Sequence, residues 1–340
     1  MKSSFTRRSA IAAATAVLAL GGLSAACAQD IKERTLKFAT QNPKGHPLVD
    51  GMEKFAEVVK DKSGGRISVK LFPGGVLGGD AQNVSALQGG TLEMVTLNSG
   101  ILANVAKEFA IYDFPFLFAS AQEAEAVVDG PFGKMMHDKL DAKGIHGLGY
   151  FELGFRELTN SKRPITKVED IEGLKLRVIP NAINVDWVKA LGANPTPLAF
   201  PELYAALEQK AIDGQENPVT VILANKFYEV QKHLALTNHQ YNPQSVIIAT
   251  KTWDAMNAAE KKVIEEATAE AVKVQRASAR KQAETAIAEL KKNGMEVSEL
   301  APAEMAKLRE KMKPVTEKHM ATVGADTVAA LQAEIAKVRK

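Results

Sequence analysis

Apolar and polar positions alternate from Thr35 to Thr40 and again from Arg66 to Leu71, the period of a half-buried strand. Between these runs Leu48, Met52, Phe55 and Val59 recur at helical spacing from Pro47 to Lys60, and Ser63-Gly64-Gly65 supplies a turn. This opening predicts a β-α-β unit. Leu92 to Leu97 reads as a buried strand, and a Gly-rich stretch, Gly74 to Gly79, precedes a short helix that Asp80 is placed to cap. Further strands are expected at Ile145–Phe151, Leu174–Val178 and Ser245–Thr250. Helices are expected to start at Pro131, to run through Trp187 to Leu191, and to open at Pro201 ahead of Leu203, Ala206 and Leu207. Strands alternating with helices predict an α/β fold with a mostly parallel sheet covered on both faces.

The longest helical pattern runs from Ala258 to Asn293, with Asn257 as cap and Gly294 as stop. Ile264, Ala267, Ala271 and Val274 mark one face, continued by Ala283, Ile287 and Leu290. Unbroken, it would be ~54 Å long at ~1.5 Å per residue, more than the diameter of a small domain. The alternative is two shorter helices broken near Arg276–Arg280.

The N-terminus has a different pattern. Lys2, Arg7 and Arg8 precede an apolar run from Ile11 to Leu23, and small residues follow at Ala25, Ala26 and Ala28. That is the layout of an export signal occupying residues 1–28, too short in its apolar part to span a bilayer. Ala26-Cys27-Ala28 fits cleavage before Gln29; cleavage before Cys27 with lipid attachment is the alternative. Cys27 is the only cysteine, so the exported chain is expected to have no disulfide and to rely on its core. Its length suits two domains. Three of the 43 basic residues and none of the 40 acidic ones fall in the signal, leaving a balanced remainder. Such balance argues against a nucleic-acid partner and requires any anion to be held by a local site.

Catalytic signatures are missing. The sequence has no Gly-x-Ser-x-Gly elbow, phosphate loop or His-Glu-x-x-His, and its six histidines are scattered. Gly74 to Gly79 lacks the Gly-x-Gly-x-x-Gly order and reads as a mobile connection. No cofactor is implied.

Three blocks carry a resemblance. They are Leu153-Gly154-Phe155-Arg156-Glu157-Leu158-Thr159-Asn160, Asp170-Ile171-Glu172-Gly173-Leu174-Lys175-Leu176-Arg177-Val178, and Gly192 to Tyr204 followed by Ala211 to Pro218. With Asp113-Phe114-Pro115-Phe116-Leu117-Phe118 and Thr237-Asn238-His239, they make the chain resemble the substrate-binding subunits of tripartite ATP-independent periplasmic (TRAP) transporters, of the DctP type. The resemblance implies a two-lobed periplasmic-binding-protein-like fold, with ligand in the interdomain cleft and the long C-terminal helix spanning both lobes. One lobe would comprise residues 29–154 plus about 243–282, the other about 155–242 plus 283–340. It further implies a carboxylate ligand held mainly by Arg177, with Arg156 assisting, Asn217 completing the carboxylate site, Phe200 packing on the ligand and Asp80 facing its far end. Pro201 departs from the small residue usual at that place.

A guanidinium suits the main role because it offers two parallel donors to two carboxylate oxygens and keeps its charge. Gln41, His46, Asn98, Gln240 and Tyr241 are further polar candidates near the expected cleft, and such groups favour a hydroxylated acid, a sugar acid over a C4-dicarboxylate. The expected protein is periplasmic and monomeric, and delivers its ligand to a small and a large membrane subunit. A periplasmic sensor and a secreted hydrolase or lyase are the alternatives.

Overall fold

The computed structural model describes residues 31–339; the export segment, both candidate cut sites and Cys27 lie outside the described residues. The first unit forms as expected. Strand β1 (Arg34–Ala39) leads into helix α1 (Pro47–Lys62) and strand β2 (Ile67–Phe72), which pairs parallel to β1 from Arg34↔Ile67 to Ala39↔Phe72. His46 caps α1: its Nδ1 accepts from the Leu48 backbone N–H at 3.2 Å, and Pro47 follows where its missing N–H costs nothing. Helix α2 (Asp80–Gly89) corrects one expectation, because its cap is Gly79 and Asp80 is already helical. The Gln82 side chain accepts from the Gly79 N–H at 2.9 Å, which frees the Asp80 carboxyl from capping.

Strand β3 (Met94–Asn98) and helices α3 (Ala121–Asp129) and α4 (Pro131–Asp141) follow, with Pro131 opening α4 as expected. Strand β4 (Ile145–Asn160) then continues well beyond Phe151. Next come β5 (Lys175–Val178), α5 (Ala182–Ala190) and β6 (Asn194–Pro197). Pro201 sits in a 3₁₀ turn, and α6 (Leu203–Glu208) starts after it. Strand β7 (Gly214–Asn217) and helix α7 (Val219–Ala224) precede β8 (His233–Ala249), a second long strand. The chain closes with α8 (Thr250–Asp254), α9 (Ala258–Lys292), β9 (Glu296–Glu299), α10 (Pro302–Val323) and α11 (Ala325–Val338).

The strands form one sheet in the order β2-β1-β3-β8-β4-β7-β5-β6, with β9 added to β8. The expected parallel ladders exist within each group of outer strands, but the sheet is mixed. β4 and β8 pair antiparallel from Ile145↔Ala249 to Asn160↔His233, and join β3 on one side to β7 on the other. Three register shifts interrupt this pair, at Gly147/Gly149, Glu152/Gly154 and Arg156/Leu158. Bulges bend a strand and re-aim its side chains, and they hide the strand's period in the sequence.

Helices cover both faces. Val246 and Ile248 point into a core with Phe38, Phe55 and Ile264, while Ile247 and Ala249 point into a second core with Phe132 and Trp187. A strand buried on both faces reads as a continuous apolar run, as Val246 to Ala249 does.

Helix α9 is unbroken over 35 residues and packs on α1, β4 and α7. Its charged centre is accounted for by partners on other elements. Arg276 forks onto Asp129 at 2.5 and 2.7 Å, and Arg280 reaches Glu125 at 2.6 Å and Glu152 at 2.8 Å. Val274, expected on the apolar face, is 40% exposed. Gln275 takes the inward position: its amide accepts from the Glu152 N–H and donates to the Glu152 carbonyl, both at 2.7 Å, satisfying the backbone beside a bulge.

The α1–α9 contact generates a test. A methyl group on Gly51 would stand 2.7 Å from Gln275 Cβ and 2.9 Å from Phe151 Cζ. Alanine gains ~1 kcal/mol in helix propensity, whereas overpacking costs ~1–3 kcal/mol. Gly51→Ala should therefore lower stability by up to ~2 kcal/mol, read as a lower urea unfolding midpoint. A midpoint at or above wild type would show that the two helices separate without strain.

Candidate functional site

In open α/β sheets the space beyond the carboxyl ends of the strands collects backbone termini and loops, and ligands bind there. Here β1 ends into Thr40-Gln41-Asn42, β3 ends at Asn98, β7 ends at Asn217, and Arg177 is the penultimate residue of β5. Their side chains surround a cavity of about 40 Å³, which also touches Asp80 and Phe200. At ~10–15 Å³ per water this holds roughly three waters.

The two arginines on its wall differ in how they are held. Arg156, on β4, is fully engaged. It forks onto Glu216 with Nε to Oε2 and Nη2 to Oε1 at 2.8 Å, Nη2 also donates to the Glu216 carbonyl, and Nη1 donates to Asn242 Oδ1 at 2.8 Å. Burial alone would push the Glu216 carboxyl up, but Arg156 and His239 hold it down at about 2. Arg177 is equally buried, yet only its Nε is fixed, by the Leu198 carbonyl at 2.9 Å. Its two terminal nitrogens have no protein partner among the described residues, and the guanidinium lies 5.8 Å from the Phe200 ring centre. Burial draws its pKa down to about 10, which leaves it charged at neutral pH.

Facing this unsatisfied cation are unsatisfied oxygens. Gln41 Oε1, Asn42 Oδ1, Asp80 Oδ1 and Thr96 Oγ1 are all buried without a hydrogen-bond partner among the described residues. Native interiors rarely leave such groups unpaired. Burial pushes the Asp80 carboxyl up to about 7, against the pull of Arg177. A molecule that offers an anionic group to one side and hydroxyl donors to the other satisfies the whole wall.

Of the residues named from the sequence, the fold brings Arg177, Arg156, Asn217, Phe200, Asp80, Gln41 and Asn98 to this cavity. Asn98 has both ends occupied, accepting from Gly100 N–H at 3.2 Å and donating to Asp113 at 3.4 Å. Asn217 donates to Gln215. His46, Gln240 and Tyr241 do not reach the cavity wall. His46 is spent on capping α1, and its burial lowers its pKa to about 3. Gln240 donates to Asn184 Oδ1 at 2.9 Å and to the Asp113 carbonyl. Tyr241 packs between the rings of Phe118 and Phe155. Sequence reading missed Thr40, Asn42, Thr96 and Gln244. The signal for Thr40 and Asn42 was their place at the carboxyl end of β1, beside Gln41.

Behind the wall, Asp113 is fully buried and collects side-chain amides from Asn98, Asn181, Asn184 and Asn242, the last two at 3.0 Å. Burial pushes its carboxyl up, and these amides together with Arg156 oppose that. Gly100 is required here, since a methyl group on it would meet Asp113 Oδ2 at 2.1 Å. Among the described residues no three His, Cys, Asp or Glu side chains gather as a metal-ligand set.

Two outcomes follow. Arg156→Ala strands the Glu216 charge, so it should cost ~3–5 kcal/mol in chemical unfolding; a loss below ~1 kcal/mol would show that the pair does not hold the fold. For Asp80, the folded state keeps its proton to about pH 7, while the unfolded value is 3.8. Its contribution to stability is therefore full below about pH 4 and is lost progressively as pH rises from there through 7. The stability of wild type relative to Asp80→Asn should fall between about pH 4 and 7 and level off above that, and a flat difference across this range would show that Asp80 is ordinarily acidic.

The arrangement has known counterparts. The model of the bacterial extracellular solute-binding protein family 7, DctP, matches residues 38–322. A TRAP periplasmic solute-binding protein from Ochrobactrum anthropi, solved with a C-terminus bound in its ligand-binding pocket, is 55% identical with a TM-score of 0.81, covering 91% of this chain and 96% of that one. The sugar-acid-binding protein DctPAm of Advenella mimigardefordensis, solved with galactonate, is 41% identical with a TM-score of 0.89, covering 91% and 99%. The 2,3-diketo-L-gulonate-binding periplasmic protein YiaO of Escherichia coli is 32% identical over 83% of this chain and 86% of its own length. The fold is thus the two-lobed α/β one that the sequence blocks implied, and the chain belongs to the DctP family of bacterial extracellular solute-binding proteins, those of TRAP transporters.

Proposed function

We propose that this protein captures a small hydroxylated carboxylate in the periplasm, a sugar acid in preference to a C4-dicarboxylate, and delivers it unchanged to the membrane subunits of a TRAP transporter. The observation that carries the reading is the unpaired fork of Arg177 opposite four unpaired oxygens. A sugar acid brings a carboxylate for the first and hydroxyl donors for the second. Its relatives support a carboxylate ligand: one holds galactonate, another is named for 2,3-diketo-L-gulonate, a third admits a C-terminus, which ends in a carboxylate, and others hold succinate or are named for C4-dicarboxylates, so the preference for a sugar acid rests on the cavity wall. Export rests on the N-terminal pattern, and delivery to a membrane partner rests on the family.

Binding would close two lobes, a hinge motion in which ligand contacts stabilise the shut state. The proposed lobe boundaries near 154/155 and 242/243 face each other across the β4–β8 pair, where Gly154 is registered with Asn242. A bulge adjoins them, at Glu152/Gly154, and Gly154 takes φ 109°, a conformation that favours glycine.

The test is calorimetric titration with galactonate. Removing one partner of a buried charge pair costs ~2–5 kcal/mol, so Arg177→Ala should weaken binding roughly 30- to several-thousand-fold. Arg177→Lys should recover only part, since the charge returns without the fork. A folded Arg177→Ala protein that binds within about threefold of wild type, a change under ~0.7 kcal/mol, would place the carboxylate elsewhere.

A further inference from the structure

The polar cavity does not end the site. Beyond the Arg177–Phe200 pair lies a second chamber of about 350 Å³, and the two share Asp80, Ile101, Arg177 and Phe200 as a common wall. Its character differs. The inner cavity is faced by amides and hydroxyls from strand ends, whereas the outer one is faced by Ile101, Pro180, Ala199, Phe200 and Pro201, with the Gly78-Gly79 backbone opposite. A methyl group on Gly79 would stand 3.5 Å from the Ala199 side chain, so the Gly-rich segment lies directly against the Ala199–Pro201 segment. Apart from Asp80 and Arg177 on the shared wall, its polar lining residues, Gln82, Asn104 and Glu202, are solvent-exposed.

We infer that this outer chamber is a tail subsite, and that the ligand range includes 2-hydroxy acids carrying an unbranched apolar chain. The inference rests on the proposed carboxylate role of Arg177. With the carboxylate on the guanidinium and the 2-hydroxyl toward the unpaired oxygens, the remaining substituent leaves past Phe200 into apolar surroundings. A polyhydroxylated tail of the same length gains nothing there, because the walls offer it few partners. An apolar tail removes its own surface and that of Ile101 and Pro180 from water.

The experiment titrates straight-chain 2-hydroxy acids of three to eight carbons, with galactonate as reference, into wild type and Ala81→Phe. Ala81 is an exposed position of α2 that lines the outer chamber and not the inner one. Wild-type affinity should rise roughly fourfold for each of the first added methylenes, the value of burying a CH₂. In Ala81→Phe the rise should flatten while the three-carbon acid and galactonate stay within about twofold. Ala199→Val, a smaller intrusion, should flatten it partly. Affinity that is level or falls along the series in wild type, with galactonate still bound through Arg177, would overturn the tail subsite and leave the parent reading standing. Galactonate binding indifferent to Arg177→Ala would overturn both.

Discussion

Arg156 and Glu216 meet inside the sheet where β4 runs beside β7, with no water between them and bonds at both carboxylate oxygens. Two charges are taken from solvent at that point, and only their mutual geometry makes it tolerable. The geometry in turn needs β4 to continue past Phe151 and to bulge on either side of Arg156. It also needs β8 to bring Asn242 to Nη1. From Asn242 the bonds pass to Asp113, and from Asp113 to Asn98, Asn181 and Asn184. One buried network therefore ties β3, β4, β7, β8 and α5 behind the cavity.

That network explains why two arginines a short distance apart have different chemistry. Arg156 is neutralised by Glu216 and contributes a fixed wall. Arg177 keeps a single backbone bond and an open fork. The nearby carboxyl of Asp80 is pushed up by burial to about 7, so at neutral pH it only partly offsets Arg177. An anion entering the cavity meets a cation that is only partly compensated. Placing Gly79 as the cap of α2 matters to this balance, because a capping Asp80 would be bonded to backbone N–H groups and held acidic.

Helix α9 links the same centre to the periphery. Gln275 satisfies the backbone of Glu152 where β4 bulges, Arg280 reaches the Glu152 carboxylate, and Gly51 lets α1 approach closely enough to seal the contact. A long helix bonded to the bent part of the crossing strand is placed to feel any change in that bend.

Much of this was legible along the chain. Periodicity located β1, α1, β2 and α9, because each buries one face and that burial imposes a local period, and Pro131 marked the start of α4. The blocks around Arg156, Arg177 and Asn217 identified the family and the carboxylate-binding arginine as an expectation. Other features were not legible, for a common physical reason: they depend on partners distant in sequence. The length of β4 and β8 was hidden by bulges and by inward amides such as Gln240 and Asn242, which look polar and exposed until Asn184 and Arg156 meet them. Arg276, where the alternative reading would have broken α9, is buried only because Asp129 and the Tyr150 carbonyl receive it. His46 and Tyr241 read as cleft residues, yet the fold uses one as a helix cap and the other as an aromatic filler. Sequence alone determined the elements whose burial is periodic and the residue types at the strand ends; tertiary structure decided which arginine is spent on Glu216 and which is left open, because only the approach of β7 to β4 supplies the counter-charge.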